Sequence, residues 1–588
     1  MDRKIKNISL SDKFLPFLEN LSEKARSKDR VPFIGRKDVL EAVMETLLRK
    51  LKNKLLLVGK PGVGKTALIT ELASVINSGK VHPTLRGRTV FELSMNRFFF
   101  SNESREKFKD DLELLFSELK ENSDKIIIFL DEMVIEAFAG VEKDIKKNQI
   151  TNILKSYFLS RELIIIAATT PDYYYKFINN DDFFSINFSS LFLKEPDEKE
   201  MMEILSGISH NFSSYYSLKI GKKELETIYT MAKRFMLHRA FPGKAVELLD
   251  ISCSKASVKG EKKLKANNIY LTIGEKTRLP VKIVESDPVK QVDGLLKYLK
   301  NSVVNQSPAI EELVRVIKLS RMEIENGSRN SGSVFLFLGP PGVGKSFTAG
   351  KISEYLFGGK EKLRTIDLRE YGSPEDISRF VVDKEGNMGS LVKELEFNPF
   401  SLILFENIEF AHPSVLSFLV KTIKFGEIID EKGKKYYFLH NIFIFSLTRI
   451  GEKIFENRIG FIKAGKESGE LIIPSKIMNL LENVDEIIEF APIDEVGLKK
   501  IVEKEINALK ADMEEMFPCK LNFDKNIFEV LAHQSAVSGG SAHKMNEFIE
   551  REIRGRLLSI LSAKKRKKCS LKIFFKDNML NIEAINGK

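Results

Sequence analysis

The chain has 588 residues, too many for one hydrophobic core at ~100–200 residues per domain, so three to five domains are expected. With 43% hydrophobic and 30% charged residues it has ordinary globular composition, which excludes a disordered or fibrous chain. The formal charge of +11 is spread along the sequence and reads as a compositional taste for lysine more than as a nucleic-acid face. Cys253, Cys519 and Cys569 stand far apart with no CxxC, so neither a disulfide framework nor a zinc site is expected. Met1 to Ser9 is polar, and apolar runs such as Ile126–Leu130 fall far short of the ~20 residues that span a bilayer. A soluble, cytoplasmic, multidomain protein is the expectation.

In chain order, residues 1–30 read as an N-terminal extension ahead of a first α/β domain over 31–195. The apolar run Leu55–Val58 feeds Gly59-Lys60-Pro61-Gly62-Val63-Gly64-Lys65-Thr66 and then a helix-compatible stretch. That strand–turn–helix setting is the one in which GxxxxGK[ST] acts as a phosphate loop. A second strand, Ile126–Leu130, ends at Asp131-Glu132, and a third covers Leu163–Thr170. Helix-patterned sequence over 196–275 makes a small lid, and 276–300 reads as a short connector. The series then repeats. Phe335–Leu338 feeds Gly339-Pro340-Pro341-Gly342-Val343-Gly344-Lys345-Ser346, Leu402–Phe405 ends at Glu406-Asn407, and Ile442–Thr448 is the third strand of a second α/β domain over 301–491. Residues 492–588 make a second lid with short C-terminal strands. The expected fold class is α/β: two tandem modules, each a parallel sheet with its site at the strands' C-terminal edge and a helical lid, without a long coiled-coil insertion.

In the first copy Gly59, Pro61, Gly62, Val63 and Gly64, and in the second Gly339, Pro341, Gly342, Val343 and Gly344, let successive backbone N–H groups face a polyphosphate at a helix N-terminus. Lys65 and Lys345 then reach the β and γ phosphates, and the hydroxyls of Thr66 and Ser346 hold Mg²⁺. ATP and Mg²⁺ are therefore expected at both sites. In the first, Asp131 serves the metal's shell and Glu132 orients or deprotonates the attacking water. In the second, Glu406 still reaches the metal, but Asn407 is a neutral amide that accepts no proton. The first site is expected to hydrolyse ATP, and the second to bind it with slow hydrolysis or none.

From about residue 29 to 575 these motifs resemble the double-ring AAA+ unfoldases of the Clp/Hsp100 family. Phe33-Ile34-Gly35-Arg36, Ala167-Ala168-Thr169-Thr170, Pro242-Gly243-Lys244-Ala245 and Phe410-Ala411-His412-Pro413 fit the family pattern. The short connector is similar to that of ClpA, whose large N-terminal domain has no counterpart in the roughly 30 residues before the first module. The resemblance implies a hexamer, homo- or hetero-oligomeric, that unfolds protein substrates and threads them through a pore. It implies nucleotide contacts from Ile34 and Lys244, a first sensor at Thr170, and packing of Asn301–Ala309 near the second adenine. It also implies docking of Ile459-Gly460-Phe461 on a ClpP-like peptidase ring. His412 matches the family position without metal-ligand spacing and reads as structural.

Several positions depart from that pattern. No arginine precedes Phe188 in Phe184-Ser185-Ile186-Asn187, nor occurs in Met478 to Asn483, where the family reaches a neighbour's γ-phosphate. Arg449 and His543 stand at the second sensor and lid positions, and Ser104 and Asn387 at the pore loops. Phe98, Phe99 and Phe100 lie close by and read as core before pore. The sequence supports three readings: a weakly hydrolysing ATP-driven unfoldase subunit, a nucleotide-binding scaffold for another Clp motor, and a nucleic-acid-remodelling AAA+ protein. The run Lys564–Lys568 reads as a solvated turn, and neither a DNA-binding module nor a patterned basic face accompanies it.

Overall fold

Apolar runs without polar alternation, such as Leu55-Leu56-Leu57-Val58 and Ile126-Ile127-Ile128-Phe129-Leu130, demand cover on both faces, and each becomes part of a strand buried at every position. The structure, a computed structural model, describes residues 8–27, 30, 32–94, 98, 105–131, 155–160, 162–237, 239–382, 386–430, 434–448, 477–537, 542–563, 569–576 and 579–584. The chain divides into two compact units, Met1–Thr272 and Ile273–Lys588.

The first unit holds β1 (Leu18–Asn20), β2 (Lys54–Val58), β3 (Thr89–Leu93), β4 (Ile126–Leu130), β5 (Ile165–Thr169) and β6 (Phe188–Phe192), in the order β1-β3-β4-β5-β2-β6. All neighbours pair parallel except β1, which lies antiparallel on β3 with Glu19 opposite Glu92. The segment expected as an extension thus adds an edge strand to the sheet. Leu56, Ile128 and Ile165 face the helix Arg105–Glu121, while Leu57, Ile127 and Ile166 face the helices Lys37–Leu47 and Lys65–Asn77. Phe98 is fully buried, its ring 5.1 Å from Phe17 and 5.2 Å from Phe108, so it belongs to the core. Phe99, Phe100 and Ser104 lie outside the described residues. The lid contains the helices Glu198–Tyr216, Lys222–Phe235 and Gly243–Val258.

The second unit repeats the arrangement. Its strands β7 (Ser333–Gly339), β8 (Leu363–Asp367), β9 (Leu402–Glu406), β10 (Glu427–Ile429), β11 (Lys435–Tyr437), β12 (Ile442–Thr448) and β13 (Glu486–Glu489) include a sheet ordered β13-β7-β12-β9-β8, parallel throughout. This matches β6-β2-β5-β4-β3 strand for strand, so duplication extends from motif to topology. The helices Glu495–Met516, Lys525–Val537, Ala542–Phe548 and Gly555–Ala563 come next, with a small sheet of β14 (Cys519–Phe523), β15 (Cys569–Lys576) and β16 (Met579–Ala584).

Two expectations change. The stretch drawn as a connector carries the helices Val281–Glu285 and Pro288–Ser302, the latter burying Val292, Leu295 and Leu299. Pro288 occupies the first helical turn, where its missing N–H costs nothing, and the Asp287 carboxylate accepts from Val289 N–H at 2.9 Å. Proline here starts a helix. Cys519 and Cys569, set aside as unpaired, stand opposite each other on the parallel strands β14 and β15 and form a disulfide across 50 residues. Strand pairing, invisible in the cysteine spacing, brings them together. Cys253 is free and buried, its thiol pushed up to about 12 by burial and the Asp250 charge. Among the described residues no helix is long and apolar enough to cross a membrane.

Candidate functional site

Both phosphate loops sit where β2 and β7 hand over to the helices Lys65–Asn77 and Lys345–Phe357. Gly62 and Gly64 take φ of +87° and +101°, and Gly342 and Gly344 +78° and +103°, left-handed values at which a side chain is strained. The Lys65 ammonium, on a buried side chain, donates to the carbonyls of Gly59 and, at 3.2 Å, Lys60. The Lys345 ammonium does the same to Gly339 at 2.6 Å and Pro340 at 2.9 Å. Burial lowers the Lys345 ammonium to about 8, against the charges of Glu409 and Glu406. Glu409, in the turn after β9, is an acidic neighbour the motif reading passed over.

Each loop is gripped from outside by one long polar side chain. Arg36, in the left-handed region at φ +54°, donates from Nη1 to the Val63 carbonyl at 3.0 Å, from Nη2 to the Lys194 carbonyl at 2.7 Å and from Nε to Glu200 Oε1 at 3.0 Å. In the second unit Gln306, 2% exposed, donates from Nε2 to the equivalent Val343 carbonyl at 3.3 Å and to the Ala491 carbonyl at 2.8 Å. Its Oε1 accepts from Ala491 N–H at 3.0 Å. Different side chains restrain the same carbonyl in the two modules.

The lids grip the loops as well. Gly243 N–H donates to the Gly62 carbonyl at 2.9 Å, and Ala240 N–H to the Pro61 carbonyl at 3.0 Å. A Cβ on Gly243 would stand 2.7 Å from that carbonyl oxygen, so glycine is what permits the approach. In the second unit Ala542 N–H donates to the Gly342 carbonyl at 3.3 Å. Lys244 is buried with its ammonium 4.1 Å from the Phe241 ring centroid, and burial lowers its pKa against the Glu195 charge.

A cavity of about 1050 Å³ opens beside Gly62, Val63 and Gly64, walled by Phe33, Ile34 and Ile204. Ile34 lines this cavity beside the loop. Its Cδ1 is seated against Gly207 of the lid, where a Cβ would stand only 1.9 Å away. Gly207→Ala is expected to displace Ile34 and weaken nucleotide binding at the first site by about tenfold, since overpacking of this kind costs ~1–3 kcal/mol. Titration with ADP in a Lys345→Ala background measures it. The second cavity, about 780 Å³, is walled by Val303, Val304 and Ile493 beside Gly342, Gly344 and Lys345, so Asn301–Val304 approaches the second loop.

The metal-side residues differ between the copies. Ser346 Oγ donates to Glu406 Oε1 at 2.5 Å, which brings together the two oxygen ligands expected there. Asn407, at φ +59°, turns its amide aside and donates from Nδ2 to Asp367 Oδ1 at 3.0 Å. Arg369 donates from Nε to Asp367 Oδ2 at 2.8 Å, and the Asp367 carboxyl is held at about 2 by Arg369 first and by Asn407. In the first unit Asp131 directly follows β4, half-buried, and Thr66 lies in the first turn of the loop helix, exposed. The neighbouring Glu92 carboxyl is pushed up to about 7 by burial and by the charges of Asp131 and Glu19. The Thr170 hydroxyl accepts from Tyr173 N–H at 3.3 Å and caps the turn after β5. His412 Nδ1 accepts from Ser414 N–H at 3.2 Å and caps the helix Pro413–Phe425. Glu132, Arg449, Ile459, Gly460, Phe461 and the run 564–568 lie outside the described residues, as does the side chain of His543.

The family patterns agree with this geometry. Residues 55–188 match the ATPase family associated with various cellular activities (AAA), 330–489 match the AAA domain (Cdc48 subfamily), and 197–286 match the AAA lid domain. ClpL of Staphylococcus aureus (strain MRSA252), an ATP-dependent Clp protease ATP-binding subunit, is 26% identical over 483 residues, 72% of this chain and 69% of ClpL. The chaperone protein ClpB of Oceanobacillus iheyensis is 26% identical over 599 residues, 89% of this chain and 73% of its own. The Hsp104–ADP complex of S. cerevisiae superposes with a TM-score of 0.73 at 25% identity, covering 96% of this chain and 98% of that one. The chain is a Clp/Hsp100-type AAA+ ATPase with two AAA modules. The nearness to ClpA drawn from the connector is not what these relatives support. As AAA modules, both copies are nucleotide-binding domains.

Proposed function

We propose that this Clp/Hsp100-type chain is an ATP-driven protein-unfoldase subunit whose first site turns over and whose second mainly holds nucleotide. The observation that carries the reading is the direct hydrogen bonding of each phosphate loop to its lid, Gly62 to Gly243 and Gly342 to Ala542. A change of charge on the loop is thereby felt by the lid, which is what coupling hydrolysis to movement requires. Gly59, Pro61, Gly62, Val63, Gly64 and Lys65, with Gly339, Pro341, Gly342, Val343, Gly344 and Lys345, cradle the triphosphates. Ile34 walls the first cavity.

The donors fit magnesium, a hard cation that takes oxygen ligands: a hydroxyl and a carboxylate oxygen already meet at Ser346 and Glu406. Thr66 and Asp131 are the corresponding pair in the first module. Bound there, Mg²⁺ would supply charge neutralisation at the phosphates. Glu132 orients the attacking water, with Thr170 close to the end of β5. ClpL and ClpB relatives are named for ATP-dependent proteolysis and for chaperoning, which supports protein substrates; a hexameric ring and a cytoplasmic setting belong to the same proposal. Docking on a ClpP-like peptidase through Ile459, Gly460 and Phe461 belongs to the same reading.

The scaffold reading is favoured for the second module by one contact, the Asn407–Asp367 hydrogen bond, which removes both groups from water activation. Purified protein tested across concentrations for ATP turnover and for unfolding of a fluorescent substrate separates the two. Coupled turnover and unfolding support the motor; nucleotide binding with turnover at background leaves the scaffold.

A further inference from the structure

The two cavities differ in the charge of their outer walls. In the first, Arg36 stands against the phosphate loop, and the wall beyond it carries His210, Glu247 and Asp250 and, among the described residues, no lysine. Asp250 accepts from the Tyr216 hydroxyl at 2.7 Å, and Glu247 pairs with Arg239 at 2.8 Å. In the second, three lysines from three elements converge on the wall beyond the loop: Lys351, Lys360 and Lys504.

These lysines are additional to the one that serves the triphosphate tail. Lys351 lies six residues beyond Lys345 on the same helix, about 9 Å along the axis at 1.5 Å per residue. Lys360 comes after that helix, exposed. Lys504 projects from the lid helix Glu495–Met516 and donates to the carbonyls of Asn301 and, at 3.4 Å, Ser302, the segment that forms the apolar wall. Lys351 pairs with Glu354 at 2.8 Å, whereas among the described residues neither Lys360 nor Lys504 makes an ion pair. Among the described residues two acidic side chains line this cavity, Glu406 beside the loop and Glu505 on the outer wall; burial and the Glu550 charge push the Glu505 pKa up, against the charges of Lys360 and Lys351.

We infer that the second site accepts a purine nucleotide carrying an additional phosphate on a ribose hydroxyl, which the first site disfavours. The inference rests on the nucleotide reading of the loops. The 5′ phosphates occupy the cradle at Lys345, the base lies against Val303 and Val304, and the ribose phosphate meets Lys360 and Lys504 in charge-assisted hydrogen bonds. At the first site the same phosphate would face Glu247 and Asp250, a like-charge penalty.

The test titrates the full chain with ADP and with its 3′-phosphorylated analogue, adenosine 3′-phosphate 5′-diphosphate. In a Lys65→Ala background, which isolates the second site, the analogue is expected to bind at least about tenfold more tightly than ADP, each tenfold being 1.4 kcal/mol. Lys360→Ala with Lys504→Ala is expected to return the ratio of the two affinities to near one. In a Lys345→Ala background the order reverses. Equal affinities in the Lys65→Ala chain, or a preference that survives removal of both lysines, overturns the inference. Loss of ADP binding itself overturns the nucleotide reading, and the inference with it.

Discussion

Lys65→Ala is expected to lower steady-state ATP turnover by about 10²-fold or more, whereas Lys345→Ala leaves it within about twofold, because preorganised cationic donors at developing phosphate charge are worth that much and, in the function proposed, Glu132 gives a water-activating carboxylate to the first module alone. Both ammonium groups sit alike over their loops' carbonyls, so binding geometry does not separate the sites. The difference lies at the end of the metal-side strand, Asp131-Glu132 against Glu406-Asn407. A coupled-enzyme ATPase assay on the two variants, with circular dichroism to confirm folding, reads the outcome directly. Equal losses in both would mean that the second site turns over too, or that the sites hydrolyse only in concert.

Asn407→Glu is expected to give the second site turnover, measured in the Lys65→Ala chain, of at least tenfold over its background, the lower edge of the ~10²–10⁴ typical of general acid–base groups. The gain is limited by Asp367. Its carboxylate now accepts from the Asn407 amide, and a glutamate there would face an ionised acid held at about 2. Repulsion of that kind raises the new carboxyl's pKa, so the gain should grow with pH until the group ionises. Adding Asp367→Asn restores a carboxylate–amide pair with the roles exchanged, and the double variant is expected to exceed the single one. No turnover from either variant would place the defect elsewhere, at the missing arginines.

The sequence made the repeat legible because a phosphate loop is local: its glycines, lysine and hydroxyl are consecutive, and the strand before it is one unbroken apolar run. The parallel, doubly wound class of each sheet was legible from strand and helix alternation, but the strand order was not, because pairing between distant segments sets it. Arg36 and Gln306 were not legible as clamps, since each acts on a carbonyl tens of residues away and nothing local announces it. Gly207 has the look of an ordinary lid glycine until Ile34 is seen against it. The 276–300 stretch misleads through its Lys, Gly and Pro content. Its helix buries Val292, Leu295 and Leu299 at the three- and four-residue spacing expected of a packed face, with Pro288 at a position where proline is an initiator. Cys519 and Cys569 meet only because β14 and β15 pair across 50 residues, a non-local event that cysteine spacing does not encode.

Isothermal calorimetry with Mg·ATP on the folded chain bears most directly on the claim that two duplicated loops each hold a triphosphate. Two uptake events per chain are predicted, one removed by Lys65→Ala and the other by Lys345→Ala. Absence of any heat from properly folded protein, or uptake indifferent to both substitutions, would contradict it.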